Sequence, residues 1–167
     1  MAGAKQSIQA VQPKVGLRSV YVDASAWVSL FTNEEAASSL EDWLANEDGH
    51  LVSTPWTLVE VASGFSIKVR RKELSEHQAT VLFERFEQLI DDEVKVVAMA
   101  AGDYGHAMNL CRNTGSGLRA GDALHLASAA RLGVSHLLTL DHVMAASAKA
   151  LGIELVNVGI KVGGKSE

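Results

Sequence analysis

The sequence predicts an α/β domain in which a parallel sheet is covered by helices on both faces. Two observations carry this reading: short apolar runs rich in β-branched residues alternate with longer amphipathic stretches, and five of the short runs have strand character. Strands separated by helix-length segments pair in parallel and are buried on both sides. Taken in order, residues 19–23 read as a buried strand that ends in a carboxylate, Asp23. Residues 24–31 read as a short helix and residues 34–47 as a second, with Leu40, Trp43 and Leu44 turned inward. After a turn at residues 46–49, residues 50–54 form the next strand. Pro55 suits a first helical turn, where a missing N–H is harmless. It opens a helix over residues 56–72, with Leu58, Val59, Ala62, Phe65 and Val69 at helical spacing.

Ser75 is placed as the N-cap of a long helix reaching about residue 90, packed through Leu82, Phe83, Phe86 and Leu89. Residues 94–98 are expected as a strand and residues 102–112 as a helix, followed by the turn-rich residues 113–117. A helix over residues 121–132 stops at Gly133. Residues 136–140 then form a strand, 141–151 a helix and 153–158 a last strand.

The bulk numbers agree with one compact domain. A chain of 167 residues, 47% hydrophobic, is long enough to bury a core without staples. Residues 1–18 are expected as an N-terminal extension, 19–160 as the domain, and 161–167 as a flexible tail. With 15 basic and 20 acidic residues the net charge is −5, which argues against a general electrostatic nucleic-acid binder. It leaves room for an enzyme whose bound cations offset a carboxylate pocket. The single cysteine, Cys111, forms no internal disulfide and is expected as a buried, inert thiol. No apolar run approaches the roughly 20 residues needed to cross a membrane, and the first residues lack a secretory apolar region. A cytoplasmic protein is the expectation.

Four carboxylates fall where elements start or end. Asp23 closes the first strand and Asp141 follows the apolar strand at residues 137–140. Asp122 begins a helix after a glycine-containing turn, and Glu60 lies one turn into the helix entered from the second strand. In open parallel sheets, ligands collect beyond the carboxyl ends of the strands. Acids converging there without basic partners repel one another, and a hard divalent cation such as magnesium or manganese resolves the conflict. Such an ion activates water for attack on a phosphodiester and stabilises the charge that builds. For any single acid taken alone, a helix-capping role is the default explanation of the position.

Residues 20–26 (VYVDASA), 58–62 (LVEVA) and 121–129 (GDALHLASA) resemble the PIN domain, and within it the VapC-type ribonuclease toxins of toxin–antitoxin pairs. Thr139, Leu140 and Asp141, followed by a helix and by Leu151, Gly152 and Ile153, complete a similarity over roughly residues 19–158. The resemblance implies a three-layer α/β/α sandwich with a parallel sheet of about five strands. It also implies magnesium- or manganese-dependent endoribonuclease activity, a small cognate antitoxin as partner, and RNA as substrate. On this reading Asp23, Asp122 and Asp141 are metal ligands, and Glu60 reaches the ion through water or orients the attacking water. Ser25 and Thr139 are candidates for hydrogen-bonding a water on the ion, or simply cap and strand-end hydroxyls.

The remaining conspicuous residues carry less. His125 shares a helix face with Asp122 but is expected as a packed, hydrogen-bonded residue outside the catalytic set. Lys68, Arg70, Arg71 and Lys72 suit a solvated helix C-terminus, with RNA contact by Lys68, Arg70 and Arg71 the lesser expectation. Arg119, three residues before Asp122, is a better candidate for touching a phosphate. Trp27, Leu30, Phe31, Trp43 and Phe65 are expected mostly in the core, with one or two facing an antitoxin, and Trp56 and Met99 are candidates for a homodimer face. Two alternatives stand beside the toxin reading: a PIN nuclease of RNA processing or repair without an antitoxin, and a non-catalytic module whose acids merely cap helices.

Overall fold

The structure, a computed structural model, describes residues 18–159. The proposed tail and all but the last residue of the proposed N-terminal extension lie outside them. Five strands alternate with seven helices: β1 (Ser19–Val22), α1 (Ala24–Phe31), α2 (Ala37–Asn46), β2 (His50–Ser53), α3 (Pro55–Arg70), α4 (Glu76–Glu93), β3 (Val94–Val96), α5 (Ala101–Cys111), α6 (Ala120–Leu132), β4 (His136–Leu138), α7 (His142–Ala150) and β5 (Glu154–Leu155). Every pairing is parallel, in the order β3-β2-β1-β4-β5, as the alternation of elements predicts.

The pleat of β1 divides the core between the two faces. Val20 and Val22 point into a cluster with Trp27, Leu40, Phe65 and Phe86 of α1 to α4. Tyr21, between them, points the other way, into a cluster with Leu126, Leu137 and Met144. The first face is fastened by aromatic contacts: Phe31 stands edge-on to Phe86 with centroids 5.7 Å apart, and Phe65 edge-on to Phe83 at 6.3 Å. Trp27 and Phe65 are buried and Leu30, Phe31 and Trp43 pack against the same core, which leaves none of the five fully exposed. On the second face the Arg131 guanidinium grips the buried Asp103 carboxylate at 2.6 and 3.0 Å, and Ser128 donates to it at 3.1 Å, clamping α5 to α6.

Local signals explain most boundaries. Ser75 caps α4, accepting from Gln78 N while the Gln78 side chain accepts from Ser75 N, a reciprocal pair. Gly133 ends α6 in the left-handed conformation at φ 63°. The second helix begins at Ala37 rather than at residue 34, because Asn33 turns left-handed at φ 53° and residues 34–36 form a turn closed by Ala37 N to Glu34 O. Strands β3, β4 and β5 each end earlier than expected. Two packing expectations need correction: Val59 lies on the outer side of α3, 58% exposed, and Cys111 is only half-buried.

Candidate active site

Parallel order β3-β2-β1-β4-β5 makes β1 and β4 neighbours whose onward connections leave in opposite directions. The crevice beyond their carboxyl ends is where such sheets bind ligands. A cavity of about 440 Å³ opens there, lined by Asp23, Glu60, Asp122 and Asp141, with Ser25, Glu34, Leu140 and Met144 among its walls. All four acids singled out in the sequence therefore meet in one place.

Each acid is set by its element. Asp23 follows β1 and caps α1, its Oδ1 accepting from Ala26 N at 3.2 Å and from Ser25 Oγ at 2.7 Å. Its Oδ2 accepts from Thr139 Oγ1 at 2.8 Å. Asp141 caps α7, with Oδ1 accepting from Val143 N at 2.7 Å and Met144 N at 2.8 Å. Asp122, in the first turn of α6, accepts weakly from Arg119 N at 3.4 Å. Capping is thus real for these three, and the start of each helix adds positive dipole potential to the cavity. Glu60 is the exception. It sits in the second turn of α3, caps nothing, and accepts from His125 Nε2 at 2.5 Å.

Burial pushes the Asp23 carboxyl above the usual carboxylate range, against the opposing pull of His125 and of its hydrogen-bond donors. Asp122 is pushed up by burial, then by the carboxylates of Asp141 and Glu60. The cavity holds more negative charge than its own donors neutralise, which suits a divalent cation. Among the described residues, no three of the His, Cys, Asp and Glu side chains stand close enough to hold an ion as they are placed. Magnesium keeps several of its waters and takes only one or two carboxylates directly, so an open ring of acids fits a hydrated ion better than a closed cage would. Asp122, Asp141 and Glu60 each keep one carboxylate oxygen without a hydrogen bond among the described residues.

Gly121 has a spatial reason. A Cβ there would stand 2.6 Å from Glu60 Oε1, so glycine lets the carboxylate of α3 approach α6. The hydroxyls of Ser25 and Thr139 hold the Asp23 carboxylate itself, and also bond Leu140 N at 2.9 Å and Asp141 N at 3.0 Å. Sequence reasoning missed Glu34, which reaches the cavity rim from the turn after α1 and pairs with Lys68 at 2.7 Å. Lys68 also pairs with Glu73 at 3.0 Å, so the structure commits it to two acids. Arg70 and Arg71 are exposed at the end of α3, and Arg119 is exposed beside the cavity acid Asp122. His125 is packed and hydrogen-bonded as expected, but one of its partners is a cavity acid, a pairing across 65 residues with no local signal.

The sequence model of the PIN domain matches residues 20–150, from β1 through α7. The chain belongs to the PIN domain family. Its fold resembles that of VapC20 from Mycobacterium tuberculosis, described as a sarcin-ricin loop cleaving toxin, at 18% identity and a TM-score of 0.63, over 77% of this chain and 94% of that one. FitAcB from Neisseria gonorrhoeae gives 18% and 0.62, over 83% and 97% of the two chains. VapBC2 from Rickettsia felis, bound to a DNA fragment from its promoter, gives 13% and 0.59, over 83% and 98%. At these identities the likeness is one of fold. No curated protein sequence matches the chain. Among the described residues of this PIN domain, no helix is long and apolar enough to cross a membrane.

Proposed function

We propose that this PIN domain is a magnesium- or manganese-dependent endoribonuclease, the toxin of a toxin–antitoxin pair acting in the cytoplasm. The observation that carries the reading is the meeting of Asp23, Glu60, Asp122 and Asp141 in one cavity at the switch point of the sheet. Helix capping explains three of the acids singly but not Glu60, and it does not explain why all four share a cavity. In this reading Asp23, Asp122 and Asp141 hold the ion directly or through water, and Glu60 orients the attacking water. The ion supplies charge neutralisation and Lewis-acid activation at the phosphodiester. Ser25 and Thr139 fix the Asp23 carboxylate, and Arg119, exposed and bonded through its backbone N–H to Asp122, is assigned the phosphate contact.

Support for the toxin assignment comes from the company the fold keeps. The similar structures include a protein described as a sarcin-ricin loop cleaving toxin, matched over 94% of its length, and the VapBC2 and FitAcB structures, matched over 98% and 97%. An antitoxin partner and a homodimer belong to the same proposal, as does its residue division of 1–18, 19–160 and 161–167. Trp56 and Met99, the residues weighed for the dimer face, are both half-buried. The test is induced expression of the chain in a bacterial host with sequencing of RNA 5′ ends. New internal ends are expected with the wild-type chain and not with Asp122→Asn. Growth and RNA ends unchanged by the wild-type chain, at verified expression, would argue against the toxin.

A further inference from the structure

A series of hydrogen bonds runs out of the core and ends at the acid cavity. Thr54 Oγ1 and Tyr21 Oη are 3.0 Å apart, Tyr21 Oη and His125 Nδ1 are 2.9 Å apart, and His125 Nε2 and Glu60 Oε2 are 2.5 Å apart. The four residues come from β1, the N-cap of α3, α3 itself and α6. Tyr21, Thr54 and His125 are buried, the last at 1% exposure, while the Glu60 side chain is 30% exposed. Packing accounts for a buried histidine. It does not account for both ring nitrogens meeting polar partners, one of them at the cavity.

We propose that His125 is a positioning residue that holds the Glu60 carboxylate in place at the cavity, with Tyr21 and Thr54 locking its ring. The proposal rests on the nuclease reading of that cavity. Among the described residues Glu60 is the one of the four converging acids with no backbone N–H to hold it. Asp23, Asp122 and Asp141 are each fixed by main-chain donors, from Ala26, from Arg119, and from Val143 and Met144. A carboxylate only accepts, so Nε2 carries the proton and donates to Glu60 Oε2. Nδ1 then accepts from the Tyr21 hydroxyl, which accepts in turn from Thr54. A tyrosine hydroxyl is protonated at neutral pH and so is available to donate to Nδ1. The hydrogen bond at one ring nitrogen thereby sets the state of the other, as in buried histidines generally.

Two substitutions separate the two contacts. His125→Gln places an amide nitrogen at the reach of Nε2 and keeps the donor to Glu60. His125→Asn places an amide oxygen at the reach of Nδ1 and keeps only the Tyr21 partner. Manganese affinity by calorimetry and kcat on RNA are expected to fall about 10–100-fold in His125→Asn, with most of the loss recovered in His125→Gln. In the metal-free wild-type protein, ring nitrogen NMR should find Nε2 protonated and Nδ1 bare. A ring protonated at Nδ1 alone overturns the proposal, as does an equal loss in both folded variants or an undiminished manganese affinity in His125→Asn. Should the variants not fold, the wild-type spectrum decides. A wild-type protein that neither cuts RNA nor binds manganese defeats the nuclease reading and with it the role assigned to His125. The spectrum separates that result from a failure of the Glu60 contact itself.

Discussion

Thr139 Oγ1 donates to Asp23 Oδ2 at 2.8 Å, joining residues 116 apart in sequence, and the same oxygen accepts from Asp141 N at 3.0 Å. One buried hydroxyl thus ties the acid after β1 to the acid after β4. Ser25 makes the matching link from the other side, from Asp23 Oδ1 to Leu140 N. The two site loops are one hydrogen-bonded unit.

Thr139→Val keeps the shape and deletes both bonds. A buried carboxylate and a half-buried N–H lose a contact, and a destabilisation of about 1–3 kcal/mol is expected by denaturant unfolding. RNA cleavage should fall about 10–100-fold, with Thr139→Ser restoring most of it. Wild-type cleavage by a folded Thr139→Val would mean that this link does not set the site.

The raised carboxyls of Asp23 and Asp122 make stability depend on pH in the metal-free protein. A group whose folded pKa lies above its unfolded value binds more protons in the native state between the two. Stability therefore falls as pH rises from the unfolded carboxylate value, about 3.9, and levels off above the raised folded values. Asp122→Asn removes one of the repelling charges. Its Tm without metal should exceed that of the wild type at neutral pH, and the gap should close towards pH 4. Manganese at 100 times its Kd should stabilise the wild type by about 2.7 kcal/mol and Asp122→Asn by less. Equal metal stabilisation of both chains would remove Asp122 from the ion site.

Gly121→Ala tests the close approach of α3 and α6. The added methyl meets the movable end of Glu60, 2.6 Å away, rather than backbone. Alanine also favours a helix over glycine by about 0.5–1 kcal/mol. Thermal stability should hold or rise while cleavage drops, a separation that unfolding cannot produce. Cleavage unchanged from wild type would show that the placement of Glu60 does not matter.

Arg119 and Lys68 should behave differently towards RNA. Lys68 is shared between Glu34 and Glu73, whereas Arg119 is exposed beside Asp122. Arg119→Ala is expected to weaken RNA binding across sequences and to reduce the salt slope by about one. Lys68→Ala should leave that slope nearly unchanged. The reverse order, measured by salt-dependent binding, would shift the phosphate contact to the end of α3.

The fold and the four acids were legible because each leaves a local mark. Residues 20–22 and 137–138 are apolar runs that stop at or near an acid, and Ser75 with Gln78 and Gly133 punctuate helices by rules that operate within a few residues. What stayed hidden depends on tertiary contact. His125 pairs with Glu60 across 65 residues, and Lys68 is tied to Glu34 on a turn that the helical pattern of residues 34–47 had absorbed. Asn33 broke that pattern with a left-handed φ that asparagine tolerates but does not announce. Val59 fitted a helical period, yet only the packing of α3 decides which side of it meets the core.

RNA cutting by this cavity with a divalent cation is tested most directly by cleavage of total RNA by the purified chain in magnesium, manganese or EDTA, beside Asp23→Asn. The nuclease reading requires discrete internal cuts that need the metal and vanish in the variant. Cleavage that survives EDTA, cleavage retained by Asp23→Asn, or no cleavage by folded wild-type protein with metal present would contradict it.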